Sequence, residues 1–335
     1  MSELISSMEK VSVFGLGNWG TALAHHLACV GCDVLAWGVE PEVVASINQQ
    51  HRNPLYLSGV ELHSSVRATT DLAEACKREV HIFVVPSKFM GQVLRRMHIQ
   101  PSTLFVSAVK GLDPETLCTP LQTLHHIHAS VTEAVVFSGP SFAKDVALRR
   151  PCGLVAASKS ETAARRAAEL FTSDIMKVYL SSDPLGVELG GILKNVIALG
   201  VGVADGLGLG DSARAGLVTR GLAEMTRLAV AMGADLRTLS GLSGLGDLSM
   251  TATSDLSRNR TVGLRLGKGE TLANIVASLG SVAEGVTTAP LVLKLASKYQ
   301  VEMPISEHVQ KLLSGEMGVD EIVKVLLSRP MRSEF

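Results

Sequence analysis

Aromatic residues are scarce: two Trp, three Tyr and eight Phe make up 4% of the 335 residues. That scarcity argues against base-stacking platforms and sugar-stacking clefts, both of which need several aligned rings. Neither sign of charge is in excess. Thirty-one Lys and Arg stand against 32 Asp and Glu, a formal net charge of -1. A nucleic-acid binder relying on bulk electrostatics is thereby excluded, while a local basic pocket is not. No run approaches the ~18 uncharged apolar residues of a membrane span. The stretch from Met1 to Lys10 carries Glu3 and Glu9 and lacks a long apolar core, so no signal peptide is expected. The five cysteines, Cys29, Cys32, Cys76, Cys118 and Cys152, are odd in number and scattered. That is the pattern of reduced thiols in a cytosol. Cys29 and Cys32 form a C-x-x-C without the second pair a zinc site needs, and read as small residues near a turn. His125, His126 and His128 have no carboxylate or thiol set around them and read as a solvated helix end. No metal is expected.

What the chain does have is glycine. It carries 31, above the ~7% usual in proteins, with no repeat or low-complexity tract to absorb them. Their positions are therefore informative. The length predicts about two domains of roughly 150 residues, and an apolar fraction of 46% is ample for two cores.

In the first half, the apolar run Val11–Phe14 leads into Gly15-Leu16-Gly17-Asn18-Trp19-Gly20, a helical pattern through Ala28, and a second apolar run at Val34–Trp37. Strand, glycine turn, helix and strand within about thirty residues is the context that makes G-x-G-x-x-G a dinucleotide signal. Gly15 permits the tight turn, Gly17 lets backbone approach a pyrophosphate, and Gly20 lets the helix lie close on the strand. The first helical turn then offers free N–H groups and a positive dipole end. A ribose-binding acid is expected at the end of the second strand. There the chain reads Trp37-Gly38-Val39-Glu40, with Glu40 late and Val39 neither acid nor Arg, so the choice between NAD and NADP stays open.

Further strands are predicted at Val80–Val85, Thr103–Ala108, Ala134–Ser138, Gly153–Ala157 and Met176–Leu180. Helices are predicted near Asp71–Cys76, Lys88–Met97 and Glu161–Phe171. This alternation predicts a mostly parallel, doubly wound sheet with helices on both faces. Three strand ends carry polar residues: Val85-Pro86-Ser87, Val109-Lys110-Gly111 and Ser138-Gly139-Pro140-Ser141. Ligands in such sheets bind beyond those ends. Lys110, directly after an apolar run and before a glycine, is a candidate site residue as well as a plain surface lysine.

After the turn Ser181-Ser182-Asp183-Pro184 the pattern becomes helical: Glu188–Ala204, Ala215–Ala231, Leu272–Ser278, Thr288–Lys298, Ser306–Leu313 and Asp320–Leu327. The expected division is a dinucleotide-binding domain over 1–185 and an all-α substrate domain over 186–335. The first long helix carries Gly190, Gly191, Gly200 and Gly202, each costing on the order of 1 kcal/mol relative to Ala. Close packing or a nearby ligand would explain them. Lys194-Asn195 interrupts its apolar face, and a lysine there either snorkels to water or is held in a pocket. Burial lowers a lysine's pKa and suits it to acid–base work. Gly244-Leu245-Gly246-Asp247, leading to Thr251, is either a capped turn or part of a site. Ser257-Arg258-Asn259-Arg260 offers a hydroxyl, a guanidinium and an amide suited to a phosphate at a helix start; the plainer alternative is a capped surface helix.

Together these segments resemble the NAD(P)-dependent glycerol-3-phosphate dehydrogenases of the soluble bacterial type, over roughly Val11 to Leu313. The resemblance rests on GLGNWGTALA (15–24), RNPLYL (52–57), VPS (85–87), VKGLD (109–113), SGPSFAKDVA (138–147) and GVELGGILKNVIALGVGVADGLGLG (186–210). TRGLAEM (219–225), GLSGLGDL (241–248), SRN (257–259), AEG (283–285) and EMPI (302–305) complete it. It implies Lys194 as the catalytic acid–base residue and Lys110 between cofactor and substrate. It also implies a substrate pocket of Gly139, Ser141, Asp247, Ser257, Arg258 and Asn259, with Asn195 helping to hold the reacting oxygen. Asn18, Trp19, Val39, Ala143, Val282 and Glu284 would lie along the dinucleotide with Gly15, Gly17 and Gly20, and Arg258 would touch both ligands. Two departures stand out. Relatives often carry Arg or His where this chain has Val39, and Ala252 replaces a common cysteine whose thiol hydride transfer does not need. The implied activity is reversible hydride transfer between NAD(P)H and dihydroxyacetone phosphate, giving sn-glycerol 3-phosphate for phospholipid synthesis in the cytoplasm. A homodimer is expected by analogy. The alternatives are a related two-domain dehydrogenase acting on a 3-hydroxy acid or ketopantoate, and a non-enzymatic NAD(H) sensor.

Overall fold

The computed structural model describes residues 8–279 and 283–328. The chain divides into two compact units, Met1–Glu188 and Leu189–Phe335. The first alternates strands and helices: β1 (Lys10–Phe14), α1 (Asn18–Cys29), β2 (Asp33–Trp37), α2 (Pro41–Gln50), β3 (Arg67–Thr69), α3 (Leu72–Ala75), β4 (Val80–Phe83) and α4 (Ser87–Arg96). It continues with β5 (Leu104–Ser107), α5 (Pro120–Ile127), β6 (Ala134–Ser138), α6 (Ala143–Ala147), β7 (Cys152–Ala157), α7 (Glu161–Phe171) and β8 (Met176–Ser181).

Apolar residues alternate along each strand, and period-two side chains line one face of a sheet. Val11 and Val13, Val34 and Ala36, Val80 and Ile82, Leu104 and Val106, and Val135 and Phe137 form one core with α1 and α7. Phe137 stacks on Phe171 of α7 at 4.2 Å. Phe14, Phe83 and Phe105 line the opposite face. There the Ser12 hydroxyl donates to the Ala75 carbonyl of α3 at 2.7 Å. Both faces are therefore covered, as a parallel sheet requires.

The strand order is β3-β2-β1-β4-β5-β6-β7-β8. Every pairing is parallel except β6 with β7, so the sheet is mostly parallel with one reversal where the chain doubles back after Gly139. The order changes direction at β1, between β2 and β4. That is the switch point where such sheets bind ligands. β4 stops at Phe83, two residues before its predicted end, and α2 and the three-residue β3 had no counterpart among the predicted elements.

The second unit is helical. α8 (Pro184–Gly206) enters it and is followed by α9 (Asp211–Ala231), α10 (Leu236–Leu239), a π-helical turn (Leu242–Gly246) and α11 (Asp247–Thr253). α12 (Arg258–Gly267), α13 (Leu272–Leu279), α14 (Glu284–Lys298), α15 (Pro304–Ser314) and α16 (Val319–Leu327) complete it. α8 is long and apolar enough to cross a membrane, but 94% of its most apolar window is buried within the protein. It starts four residues before its predicted beginning because Pro184 fits the first helical turn, where no N–H is needed.

Glu188 on α8 is buried and accepts the Leu121 N–H of α5 at 2.7 Å. Pro120 supplies no N–H at that helix start, so the carboxylate answers the next donor. Burial outweighs the hydrogen bond from Leu121 and pushes the Glu188 carboxyl up to about 7. From the ordinary carboxylate range up to about pH 7, the folded protein holds a proton that the unfolded chain has released. Stability therefore falls as pH rises through that window, by on the order of 3 kcal/mol. Buried His81, pushed down to about 4, acts oppositely, removing stability as pH falls from about 6.5. Glu188→Gln is expected to flatten the loss of stability between about pH 5 and 7 and to raise the unfolding midpoint at about pH 8. Midpoints measured against pH for both proteins check this; identical slopes would mean that Glu188 does not carry the effect.

Candidate active site

In the first unit the glycine turn has the shape its sequence predicts. Gly15 has φ 111°, and a Cβ there would lie 2.8 Å from the Val84 carbonyl oxygen after β4. A Cβ on Gly20 would run into the Gly15 carbonyl, so α1 lies against the turn only because both residues are glycine. At Gly17 a Cβ would meet no atom within 4 Å. Gly17 is also the N-cap of α1, with no side-chain cap and no acidic residue in the first turn. These N–H groups and the helix dipole suit a phosphate. Trp19 adds an indole N–H that is buried without a partner. The residues present fit a dinucleotide.

Lys110, partly buried beyond β5, donates to the Gly139 carbonyl at 3.4 Å. The Ser141 hydroxyl donates to the same oxygen at 3.3 Å. Gly139 has φ 148°, and a Cβ there would lie 3.0 Å from the Gly153 carbonyl. Lys110, Gly139 and Ser141 thus form one group at the ends of β5 and β6. Ala143 begins α6, Asn18 is exposed at the start of α1, and Val39 is exposed beyond β2.

The second unit gathers the other set. Lys194 of α8 has 6% exposure and Asp247 none. The Lys194 ammonium donates to Asp247 Oδ1 at 2.5 Å and to Thr251 Oγ1 at 2.8 Å. Asp247 and Thr251 are four residues apart on α11, so both face α8. The π-helical turn ahead of Asp247 sits directly on α8: a Cβ on Gly190 would strike the Ser243 carbonyl. Lys194 is therefore held by a carboxylate and a hydroxyl and does not snorkel. Asp247 is a wholly buried partner and not a turn cap.

Asn195, next on α8, faces α12. Its Oδ1 accepts from Asn259 Nδ2 at 2.9 Å, and Asn259 Oδ1 accepts the Gly285 N–H of α14 at 2.8 Å. Asn259 keeps one amide hydrogen for another acceptor. Ser257 caps α12 by accepting the Arg260 N–H at 3.2 Å. Arg258 is exposed at the first position of that helix, and Glu284 is exposed at the first position of α14. Val282 lies outside the described residues. Thr251 is a partner of Lys194 that was not among the expected site residues; its four-residue spacing from Asp247 is the signal that points to it. Among the described residues, no group of three or more His, Cys, Asp or Glu is disposed to hold a metal ion.

α12 is fixed to α8 by glycine against glycine. A Cβ on Gly202 would hit the Arg260 carbonyl, and one on Gly206 the Leu264 carbonyl. Reciprocally, a Cβ on Gly263 would hit the Leu199 carbonyl, and one on Gly267 the Val203 carbonyl. Two G-x-x-x-G faces thus meet backbone to backbone. Asp205 locks the crossing: one carboxylate oxygen accepts from Arg260 and the other from Arg214 of α9, each at 2.8 Å.

A doubly wound sheet with a glycine turn, and a helical unit holding a buried lysine–aspartate pair, define a nucleotide-dependent dehydrogenase of the two-domain type. Comparison with known proteins narrows the class. The N-terminal model of the NAD-dependent glycerol-3-phosphate dehydrogenases matches residues 10–164 and the C-terminal model residues 183–324. The chain belongs to that family. It is 45% identical over 331 residues to the glycerol-3-phosphate dehydrogenase [NAD(P)+] of Citrifermentans bemidjiense, covering 97% of this chain and 99% of that one. With the enzyme of the same name from Geobacter metallireducens the identity is 46% over 331 residues, with the same shares covered. The crystal structure of glycerol-3-phosphate dehydrogenase from Coxiella burnetii superimposes with a TM-score of 0.91 at 34% identity, over 96% of this chain and 99% of that one.

The crossing is testable through Asp205. Its removal leaves two partly buried guanidinium groups without their shared acceptor, and Arg260 is only 11% exposed. Each guanidinium keeps a second carboxylate, Asp255 for Arg260 and Asp211 for Arg214, so the loss should fall short of a fully broken buried pair, at about 2 kcal/mol. Asp205→Ala is expected to lose stability of that order in a denaturant titration. A loss below about 1 kcal/mol, the range of a surface ion pair, would mean that the clamp contributes little.

Proposed function

We propose that this chain is an NAD(P)-dependent glycerol-3-phosphate dehydrogenase interconverting dihydroxyacetone phosphate and sn-glycerol 3-phosphate, with Lys194 as its acid–base residue. The observation that carries the proposal is the buried contact of Lys194 with Asp247 and Thr251. It lies in a chain whose two halves both match one dehydrogenase family.

The nicotinamide dinucleotide, when bound, supplies or accepts the hydride. Reduction of the substrate carbonyl builds negative charge on the C2 oxygen, which then needs a proton. The Lys194 ammonium gives that proton, and in the reverse direction the amine takes it back. Asp247 favours the charged form of Lys194 and, with Thr251, fixes where its proton points. Asn195, itself oriented by Asn259, and Lys110 help hold the oxygen as charge develops. The substrate phosphate is assigned to Arg258 and Asn259, with Ser257, Gly139 and Ser141 as further proposed substrate contacts. Arg258 stands at the N-terminus of α12, where guanidinium and helix dipole act on an anion together. Anchoring the phosphate holds C2 in one place, which turns a chance encounter into an oriented reaction.

The glycine turn, Asn18, Trp19, Val39, Ala143, Val282 and Glu284 are proposed as the dinucleotide contacts, with Lys110 and Arg258 touching both ligands. The product would feed phospholipid synthesis in the cytoplasm, and the active species is proposed as a homodimer, both on the analogy of the family.

An initial-rate assay tests the substrate. Dihydroxyacetone phosphate should support oxidation of the reduced cofactor and unphosphorylated dihydroxyacetone should not. Arg258→Ala should raise KM for dihydroxyacetone phosphate about tenfold to a hundredfold, the value of a charge-assisted hydrogen bond, with a smaller change in kcat. An unchanged KM would remove Arg258 from the phosphate site.

A further inference from the structure

Cys29 and Cys32 take no part in the proposed chemistry, yet the fold surrounds them with more than a turn needs. Cys29 is the last residue of α1, Val30 is its C-cap, and Gly31 has φ 95°. The Gly31 N–H donates to the Ala28 carbonyl at 3.1 Å and the Cys32 N–H to the Leu27 carbonyl at 3.0 Å. This is the Schellman closure of a helix, and it brings the two cysteines to either side of one tight turn. Cys32 is buried in the core between α1 and the sheet, whereas Cys29 keeps partial access to solvent.

The Cys29 sulfur meets N–H donors from two separate segments. His25 Nδ1 accepts the His63 N–H at 2.9 Å. Burial lowers the pKa of His25 and keeps the ring neutral, so its one hydrogen sits on Nε2, 3.7 Å from Cys29 Sγ. The Arg149 guanidinium hydrogen-bonds the same sulfur and is anchored by Asp174 at 2.7 and 2.9 Å. The C-terminal end of α1 disfavours negative charge, but a helix terminus acts more weakly than a hydrogen bond from a cation. The other cysteines stand in different surroundings. Burial and Glu9 push the Cys32 thiol up to about 11, and burial and Asp145 push Cys152 as high. Burial also raises Cys76. Cys118 faces the His126 imidazole at 3.6 Å, with no guanidinium among its described contacts.

We infer that Cys29, flanked by His25 and Arg149, is a modification site that exchanges with low-molecular-weight disulfides, with Cys32 as its resolving thiol. The Cys29 thiolate attacks one sulfur of R–S–S–R. The new bond joins Cys29 to R–S, and the other sulfur leaves as R–S⁻ and takes the proton that Cys29 released. Cys32 then gives up its proton and attacks the Cys29 sulfur, displacing the second R–S⁻, which takes that proton. The two cysteines are oxidised to one disulfide and R–S–S–R is reduced to two thiols. Burial keeps Cys32 protonated until the mixed disulfide stands beside it, which fixes the order of the two attacks. His25 and Arg149 are positioning residues that hold the charge on sulfur.

Glutathione disulfide serves as the probe. The reduced, intact protein is incubated with it near neutral pH, remaining thiols are trapped by alkylation at intervals, and the peptides are mapped by mass spectrometry. Cys29 should react first, ahead of the similarly half-buried Cys118, and should finish in a disulfide with Cys32. Cys32→Ser should stop at a mixed disulfide on Cys29. Arg149→Gln should slow Cys29 by about threefold to tenfold. Loss of a hydrogen bond to charge removes about tenfold to a hundredfold of the thiolate, and the more basic sulfur recovers about half of that on a logarithmic scale. A fall at Cys29 with buried Cys76 unchanged separates lost activation from a loosened fold, which would speed both. Reaction of Cys118 before Cys29 would overturn the inference. So would a Cys29 rate that Arg149→Gln does not lower, or a mixed disulfide that persists in the unaltered protein.

Discussion

The second unit is organised around one buried ion pair. Taking a lysine and an aspartate out of water costs several kcal/mol per ion even after the surroundings relax. The 2.5 Å contact of Lys194 with Asp247, and the added acceptor Thr251, offset that cost. An apolar pair of similar volume would serve stability as well or better. The pair therefore fits the proposed proton transfer better than a purely structural role, and the elements around it hold it in place. The π-helical turn delivers Asp247 to α8 at Gly190. The chain Asn195–Asn259–Gly285 ties α8 to the starts of α12 and α14.

Such placement demands backbones closer than side chains allow. Fourteen of the 31 glycines lie between Gly186 and Gly246. Several sit inside helices, where each costs on the order of 1 kcal/mol relative to Ala. The crossing of Gly202 and Gly206 with Gly263 and Gly267 shows what offsets that cost: each helix packs on the carbonyls of the other. The dinucleotide turn uses the same device, with Gly20 against the Gly15 carbonyl. Here glycine makes the structure tight and does not make it loose.

The features that could be read from sequence are those encoded within one local segment. Strand, G-x-G-x-x-G and helix follow one another along the chain, so the dinucleotide turn is readable in the sequence. Lys194 was noticeable because it broke an apolar helical face, but its environment was not. Its partners lie 53 and 57 residues away. The same limit hid the Asp205 clamp, whose Arg260 is 55 residues distant. It also hid two buried glutamates that cap helices beginning with proline. Glu188 serves the start at Pro120, and Glu224 accepts the Ile305 and Ser306 N–H groups after Pro304. A carboxylate in an apolar helix signals a partner without saying which helix start it answers. The antiparallel placement of β7 is a tertiary outcome as well, and β3, only Arg67-Ala68-Thr69, is too short and too polar a run to signal a strand.

Lys194 is proposed to move the proton without being needed to hold the cofactor. The most direct measurement compares Lys194→Ala with the unaltered protein in two readouts: turnover of dihydroxyacetone phosphate at saturating NADH, and NADH affinity by titration. General acid–base catalysis is worth about 10²–10⁴-fold. Turnover should fall by that factor while the dissociation constant for NADH stays within about twofold, a change of under half a kcal/mol. Turnover within a few-fold of the unaltered protein, with binding intact, would contradict the account.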